Sequence, residues 1–215
     1  MSWDTLTSEF PWPPEQPEIK RYLHGWAVHE SAWHAVLNGR TAPVLLEVGA
    51  WTGKTSSWLL TTFAGLRLIA ADRWSVEPDQ YPPEDALNVQ YLRTWWDRFC
   101  AAGRVSESDT PLDLYRANLW GFRDRVVAVE SESVCAMVSI ARHLVPDVVY
   151  IDADHHYEAV RSDILAALHL FPGSCICGDD YSDGNGVQRA VEEIASERGF
   201  QVTRLGNQRF WVYDG

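Results

Sequence analysis

The chain is short of positive charge. Against 30 aspartates and glutamates it sets 18 lysines and arginines, for a formal net charge of −12. Binding to a phosphate backbone relies on clustered Lys and Arg, so nucleic acid is not the expected partner. Long apolar runs are missing as well: none approaches the ~20 residues of a membrane span. The stretch Met1-Ser2-Trp3-Asp4 has neither the basic region nor the apolar core of a secretion signal. Cysteine is scarce, and Cys100, Cys135, Cys175 and Cys177 form no C-x-x-C pair and no metal-ligand spacing. Cys175 and Cys177 alternate within an apolar stretch, as small buried thiols do. A soluble protein of a reducing, cytoplasmic compartment is the expectation. At 215 residues, a single α/β domain with its own core accounts for the length.

What is present is organised around Val44-Leu45-Leu46-Glu47-Val48-Gly49-Ala50-Trp51-Thr52-Gly53-Lys54-Thr55. Val44 to Val48 are apolar except for Glu47, which reads as a strand buried on both faces. Two glycines and then an apolar helical run, Trp58 to Phe63, complete a strand, tight turn and helix start. Glycines there permit positive φ, and the helix start presents free N–H groups to a ligand. A phosphate-binding P-loop needs four residues between its glycines, and only three stand between Gly49 and Gly53. The G-x-G-x-x-G dinucleotide fingerprint is broken by Ala50-Trp51. The spacing that remains is E-x-G-x-x-x-G.

Taken in order, residues 1 to about 15 carry Phe10-Pro11-Trp12-Pro13-Pro14, which is expected to lie extended as a strap or tail. The spacing of Ile19, Tyr22, Trp26, Trp33 and Val36 predicts an amphipathic helix from Glu18 to Leu37. His29 and His34 are five residues apart, about 140° round a helix, so a packing role is expected of them and not a zinc helix. Arg67 to Asp72 reads as a second strand closing on an acid 25 residues after Glu47, where a βαβ unit places a ribose-binding carboxylate. Trp74, just beyond, is a candidate cover for an adenine, with plain packing as the alternative. Residues 73–125 exceed one crossover. Pro82-Pro83, a helix from Glu84 to Ala102 containing Trp95-Trp96, and later Tyr115 and Trp120 make an aromatic insert, read as a lid with a dimer contact as its rival use.

Val126 to Val129 is a third strand, followed by Glu130-Ser131-Glu132-Ser133 and a helix to about His143. Asp147 to Asp154 is a buried strand ending in two acids, followed by His155-His156-Tyr157-Glu158 and a helix stopped by Pro172-Gly173. A fifth strand, Ser174 to Gly178, ends in Asp179-Asp180-Tyr181. Neighbouring parallel strands ending in carboxylates gather them at the C-terminal edge of the sheet, beside the ligand crevice. Asp152, Asp154, Asp179 and Asp180 would repel one another unless a cation sits among them, and Mg²⁺ suits such oxygen donors. The plainer alternative gives one acid to a cofactor, one to capping a helix and the rest to solvent. A helix from Gly186 to Arg198 then precedes strands Phe200 to Leu205 and Gln208 to Tyr213 about Gly206-Asn207, a two-residue hairpin signal.

The segment Tyr150-Ile151-Asp152-Ala153-Asp154-His155-His156-Tyr157-Glu158, with Gly178-Asp179-Asp180-Tyr181 and Gly186 to Val191, resembles the class I S-adenosylmethionine-dependent methyltransferases. The likeness is to the branch of macrocin-type sugar O-methyltransferases and cephalosporin hydroxylase-like proteins, over roughly residues 40–200. It implies a Rossmann-like, doubly wound, mostly parallel seven-stranded sheet closed by an antiparallel hairpin, in one domain spanning 1–215. Residues 1–39 would be an N-terminal strap and helix. The resemblance puts Glu47, Gly49, Gly53, Asp72, Trp74, Glu132, Ser133 and Asp152 about the cofactor, Glu132-Ser133 standing where relatives have Asp-Ser. It gives Asp152, Asp179 and Asp180 to Mg²⁺ and makes Asp154 or His155 the base. The implied activity is metal-assisted O-methylation of a small hydroxylated molecule, a sugar or natural product, by a monomer or a homo-oligomer. A cofactor-binding protein without transferase activity is the alternative, and a P-loop-like nucleotide enzyme a more distant one.

Overall fold

The structure, a computed structural model, describes residues 2–25, 28–78 and 86–214. Seven strands form one sheet: β1 (Val44–Val48), β2 (Arg67–Asp72), β3 (Val126–Glu130), β4 (Val148–Ile151), β5 (Cys175–Gly178), β6 (Gln201–Leu205) and β7 (Phe210–Asp214). Their order is β3-β2-β1-β4-β5-β7-β6. The first five in that order pair in parallel, and β7 runs antiparallel between β5 and β6. The order reverses at β1 and β4, so their C-terminal ends flank the crevice where such sheets take ligands.

Alternation along the strands builds two layers. Leu46 and Val48 face one side with Ile69, Val127, Val149 and Ile151, covered by α6 (Ser133–Ala141), α7 (Tyr157–Leu170) and α8 (Gly186–Arg198). Leu45, Leu68, Val126, Val148 and Tyr150 face the other, under α2 (Glu30–Leu37), α3 (Lys54–Thr62) and α5 (Pro111–Leu119). Each Leu or Val buried this way stabilises the fold by about 1.5–3 kcal/mol. A smaller apolar cluster joins Ile19 and Tyr22 to Trp95, Trp96 and Phe99 of α4 (Ala86–Ala101) and Leu114 of α5. The insert and the N-terminal segment therefore pack together beside the sheet, next to Trp51 of the glycine turn.

Three local expectations are corrected, and one helix is added to the insert. Residues before Phe10 are helical: α1 (Trp3–Glu9) starts at a reciprocal cap between Ser2 and Thr5, and Glu9 and Thr5 reach His143 at 2.7 and 3.0 Å. The strap from Phe10 follows without regular structure and is pinned by Trp12, whose indole donates to the Val126 carbonyl at 2.7 Å. The helix expected over 18–37 is only Glu30–Leu37. Upstream, the Tyr22 and His24 N–H groups donate to Asn118 Oδ1 and Thr52 Oγ1, so side chains satisfy the backbone that a helix would have satisfied. Residues 26–27 of that span, and Pro82-Pro83 of the insert, lie outside the described residues. The β6–β7 turn is a four-residue loop, since Leu205 pairs with Phe210. Finally, the insert contains α5, whose start at Thr110-Pro111 with Asp113 is a capping box with proline at the first helical position.

Candidate active site

The glycine turn ends β1 at the sheet's C-terminal edge. Gly49 has φ +91° and its N–H donates to the Ala71 carbonyl at 2.9 Å. A Cβ there would fall 2.1 Å from the Asp152 carbonyl oxygen, so only glycine lets the ends of β1 and β4 approach this closely. Gly53, at φ +81°, caps α3, and a Cβ on it would strike Leu119 of α5 at 2.4 Å. The first glycine thus lets the ends of β1 and β4 close up at the edge of the crevice, and the second seats the insert.

Asp72 closes the turn from β2. Its Oδ2 accepts from the Trp51 N–H at 2.8 Å and its Oδ1 from the Trp74 N–H at 2.7 Å. Burial pushes its carboxyl above the usual range, and those N–H groups pull it back down. Trp74 is turned inward: it is 2% exposed, its indole donates to the Trp51 carbonyl, and its ring meets Tyr115 at 4.8 Å. Packing accounts for all of these contacts. Lys54 does not aim at the turn, as a phosphate-binding lysine would; its ammonium donates to the Gly25 carbonyl at 2.8 Å. With Thr52 Oγ1 donating to the His24 carbonyl, it straps residues 24–25 over the turn.

Glu47 lies in the sheet beneath. It is 1% exposed, and burial raises its pKa to about 8 despite the hydrogen bond from Ser56. Tyr115 in turn donates to the Ser56 hydroxyl at 3.3 Å, linking the insert to β1. At the end of β3, Glu132 pairs with Arg73, and Ser133 opens α6. Ser133 hydrogen-bonds Asp163, whose carboxyl is raised to about 6, chiefly by burial.

The acids meet beyond β4 and β5. Asp152, His155 and Asp180 each offer one ligand atom, all within 4.8 Å of one another. Tyr150 donates to Asp152 at 3.1 Å, yet burial and then the Asp179 charge push Asp152 well above the usual carboxylate range. His155 Nε2 lies 2.8 Å from Asp180, and burial lowers the imidazole pKa against the opposing pull of Asp154. Of the expected trio, Asp152 and Asp180 are brought together, with His155 as their third member. Asp179 instead meets His29 Nε2 at 2.6 Å. Asp154 turns to α7, where its Oδ1 accepts from the His156 N–H at 2.6 Å and meets the His156 ring at 2.7 Å. Two participants were missed in the sequence, His29 and Arg209, the latter paired with Asp180. His29 is 150 residues from its partner and gives no local signal. Arg209 was within reach, because a strand returning antiparallel to β5 begins beside the end of β5.

This sheet order, the glycine turn after β1 and the acid ending β2 define a class I methyltransferase. The family model described as "Methyltransferase domain" matches residues 46–181, more than half of the chain, and the chain belongs to that family. It is an S-adenosylmethionine-dependent methyltransferase, as its motifs had implied. No curated protein matches the sequence. Among solved structures, cofactor-bound Rv0187 from MTB is similar at TM-score 0.58 and 18% identity, over 92% of this chain and 83% of that one. The O-methyltransferase from Bacillus cereus in complex with SAH is similar at 0.55 and 18%, over 98% and 96%. The O-methyltransferase NovP gives 0.58 and 14%, over 86% and 76%. At these identities the likeness is one of fold. Among the described residues, no helix is long and apolar enough to cross a membrane.

Proposed function

We propose that the chain methylates a hydroxyl of a small molecule at the C-terminal ends of β4 and β5, with a divalent cation held by Asp152, His155 and Asp180. The observation that carries this reading is the approach of those three donors to within 4.8 Å, on the strand end that Gly49 touches. One imidazole with two carboxylates suits Mn²⁺ or Zn²⁺ as well as Mg²⁺. Asp179, held by His29, supports the cluster from behind in this reading and is not itself a ligand.

S-adenosylmethionine, when bound, supplies an electrophilic methyl group on its sulfonium. The chain's own contribution is placement. Asp72 holds the turn and keeps carboxylate lone pairs for the ribose hydroxyls. The turn from Gly49 to Gly53 borders the methionine end, and Glu132-Ser133 borders the adenine. A bound cation would lower the pKa of the acceptor hydroxyl, and Asp154, next to His155 in the chain, would take its proton.

A second reading is favoured by the His155–Asp180 contact at 2.8 Å. With no cation held, Asp180 orients the imidazole and His155 itself is the base, its lowered pKa keeping the ring neutral near pH 7. The insert and the strap supply a cover in both readings. Trp95 lies 4.2 Å from His24, which accepts from the Trp51 indole at 3.2 Å, and this aromatic wall suits a ring-shaped acceptor such as a sugar or phenol. Docking of a second copy on the insert is the competing use. Four unbridged thiols favour a reducing, cytoplasmic setting.

The test measures S-adenosylhomocysteine release with hexose and phenol acceptors, with and without a chelator. Turnover lost on chelation and in Asp152→Asn, with cofactor binding kept, supports the cation reading. Turnover that survives chelation but not His155→Ala supports the dyad. A protein that binds cofactor but turns over no acceptor class is a binding protein, and both readings fail.

A further inference from the structure

Arg209 belongs to the loop between β6 and β7, and its guanidinium pairs with Asp180. The backbone at both ends of this pair is fixed. The Tyr181 N–H donates to the Arg209 carbonyl at 3.0 Å. Within the loop, Arg204 Nε donates to the Gln208 carbonyl at 2.9 Å, and the Arg209 N–H donates to Asn207 Oδ1 at 3.2 Å. Asp180 has φ +59°, a strained setting for a residue other than glycine. It is held by its own N–H to Asp179 Oδ1 at 2.6 Å and by its carbonyl, which accepts from Asn185 Nδ2 at 2.6 Å.

The two side chains differ in freedom. That of Arg209 is 51% exposed and that of Asp180 is 17% exposed. The guanidinium can therefore swing into water while the carboxylate stays in place.

We propose that Arg209 is a built-in counter-ion of the acid cluster, occupying Asp180 until a divalent cation displaces it, and that it thereby sets how weakly the site holds metal. The inference rests on the cation reading above. The guanidinium and the metal need the same carboxylate, and two positive charges side by side repel. Removing one of them makes room for the other.

The test is Mn²⁺ binding, followed by the electron paramagnetic resonance signal of the free ion, which needs no turnover. Wild type, Arg209→Gln, Arg209→Lys and the double variant Arg209→Gln with Asp152→Asn are compared, each checked for folding by circular dichroism. The expected result is tightening by about tenfold or more in Arg209→Gln, the scale on which one charge within ~4–6 Å shifts a charged equilibrium. Arg209→Lys should stay near wild type, and the double variant should lose the gain. Affinity unchanged or weakened in Arg209→Gln overturns the role of Arg209 and leaves the cation site standing. A gain that persists in the double variant places the metal elsewhere and overturns the proposal. Absence of binding in both wild type and Arg209→Gln removes the cation reading and the proposal with it.

Discussion

Replacing Glu47 with Gln should make this protein more stable, by an amount that grows with pH. The carboxyl is 1% exposed, and burial raises its pKa from 4.5 to about 8, with the Asp72 charge adding to the rise and the Ser56 hydrogen bond opposing it. Below pH 4.5 both the folded and the unfolded chain hold this proton, and folding is indifferent to pH at this site. Between 4.5 and 8 the unfolded chain releases it and the folded chain keeps it. The unfolding free energy therefore falls by about 1.4 kcal/mol per pH unit from this residue alone. At pH 7 the loss amounts to about 3 kcal/mol, a large share of a typical domain's stability. Glutamine resembles the protonated acid and still accepts from Ser56, but it has nothing to ionise. Its extra N–H adds a constant cost of about 1 kcal/mol if unpartnered, which leaves the pH dependence untouched. The assay is urea unfolding of wild type and Glu47→Gln at pH 5, 6, 7 and 8. The gap between the two should widen in favour of the variant by about 1.4 kcal/mol per unit up to pH 7 and level off near 8. A gap that does not change with pH would refute the reasoning, because it would mean that Glu47 is already ionised in the folded protein.

Further perturbations follow from the same geometry. Gly49→Ala puts a Cβ 2.1 Å from the Asp152 carbonyl at φ +91°, which should cost about 3 kcal/mol or more and abolish cofactor binding; wild-type unfolding and binding curves would contradict the role given to the turn. Asn118→Ala removes the side chain bonded to the Tyr22 N–H, the Tyr22 carbonyl and the Thr52 carbonyl, so limited trypsin digestion should cut faster after Lys20 and Arg21. Unchanged cutting there would mean that other contacts pin the strap. Thr110→Ala breaks the cap of α5 and should lower stability by about 1 kcal/mol, read from the midpoint of urea unfolding.

The sheet was legible because its signals are local and doubled. Each of β1, β2 and β4 is a short apolar run whose end is marked by Gly49, Asp72 or Asp152, and the parallel register follows once helices are seen between the strands. The N-terminus misled for a physical reason. Tyr22, Trp26 and Trp33 have helical spacing, but Tyr22 N–H is claimed by Asn118, 96 residues away, a partner that no window of sequence contains. The short helix α1 has only the Ser2 and Thr5 cap as its signal, next to a run of prolines after Phe10 that no helix can continue into. The two-residue turn at Gly206-Asn207 failed because Gln208, at φ +71°, extends the loop and delivers Arg209 to Asp180. Asp152 and Asp180 were found from their places at adjacent strand ends. His155 was expected as a base and stands among the donors, and the pairing of Asp179 with His29 depends on how α2 lies across the sheet.

The most direct test of the account is calorimetric titration of S-adenosylmethionine into the wild-type protein and Asp72→Asn. Asp72 ends β2, and its carboxylate holds, through the Trp51 N–H, the turn that should receive the cofactor. Saturable binding by the wild type, weakened at least about tenfold in a variant that keeps its fold, is the predicted result. Folded wild-type protein that takes up no S-adenosylmethionine, with or without Mg²⁺, would contradict the central claim.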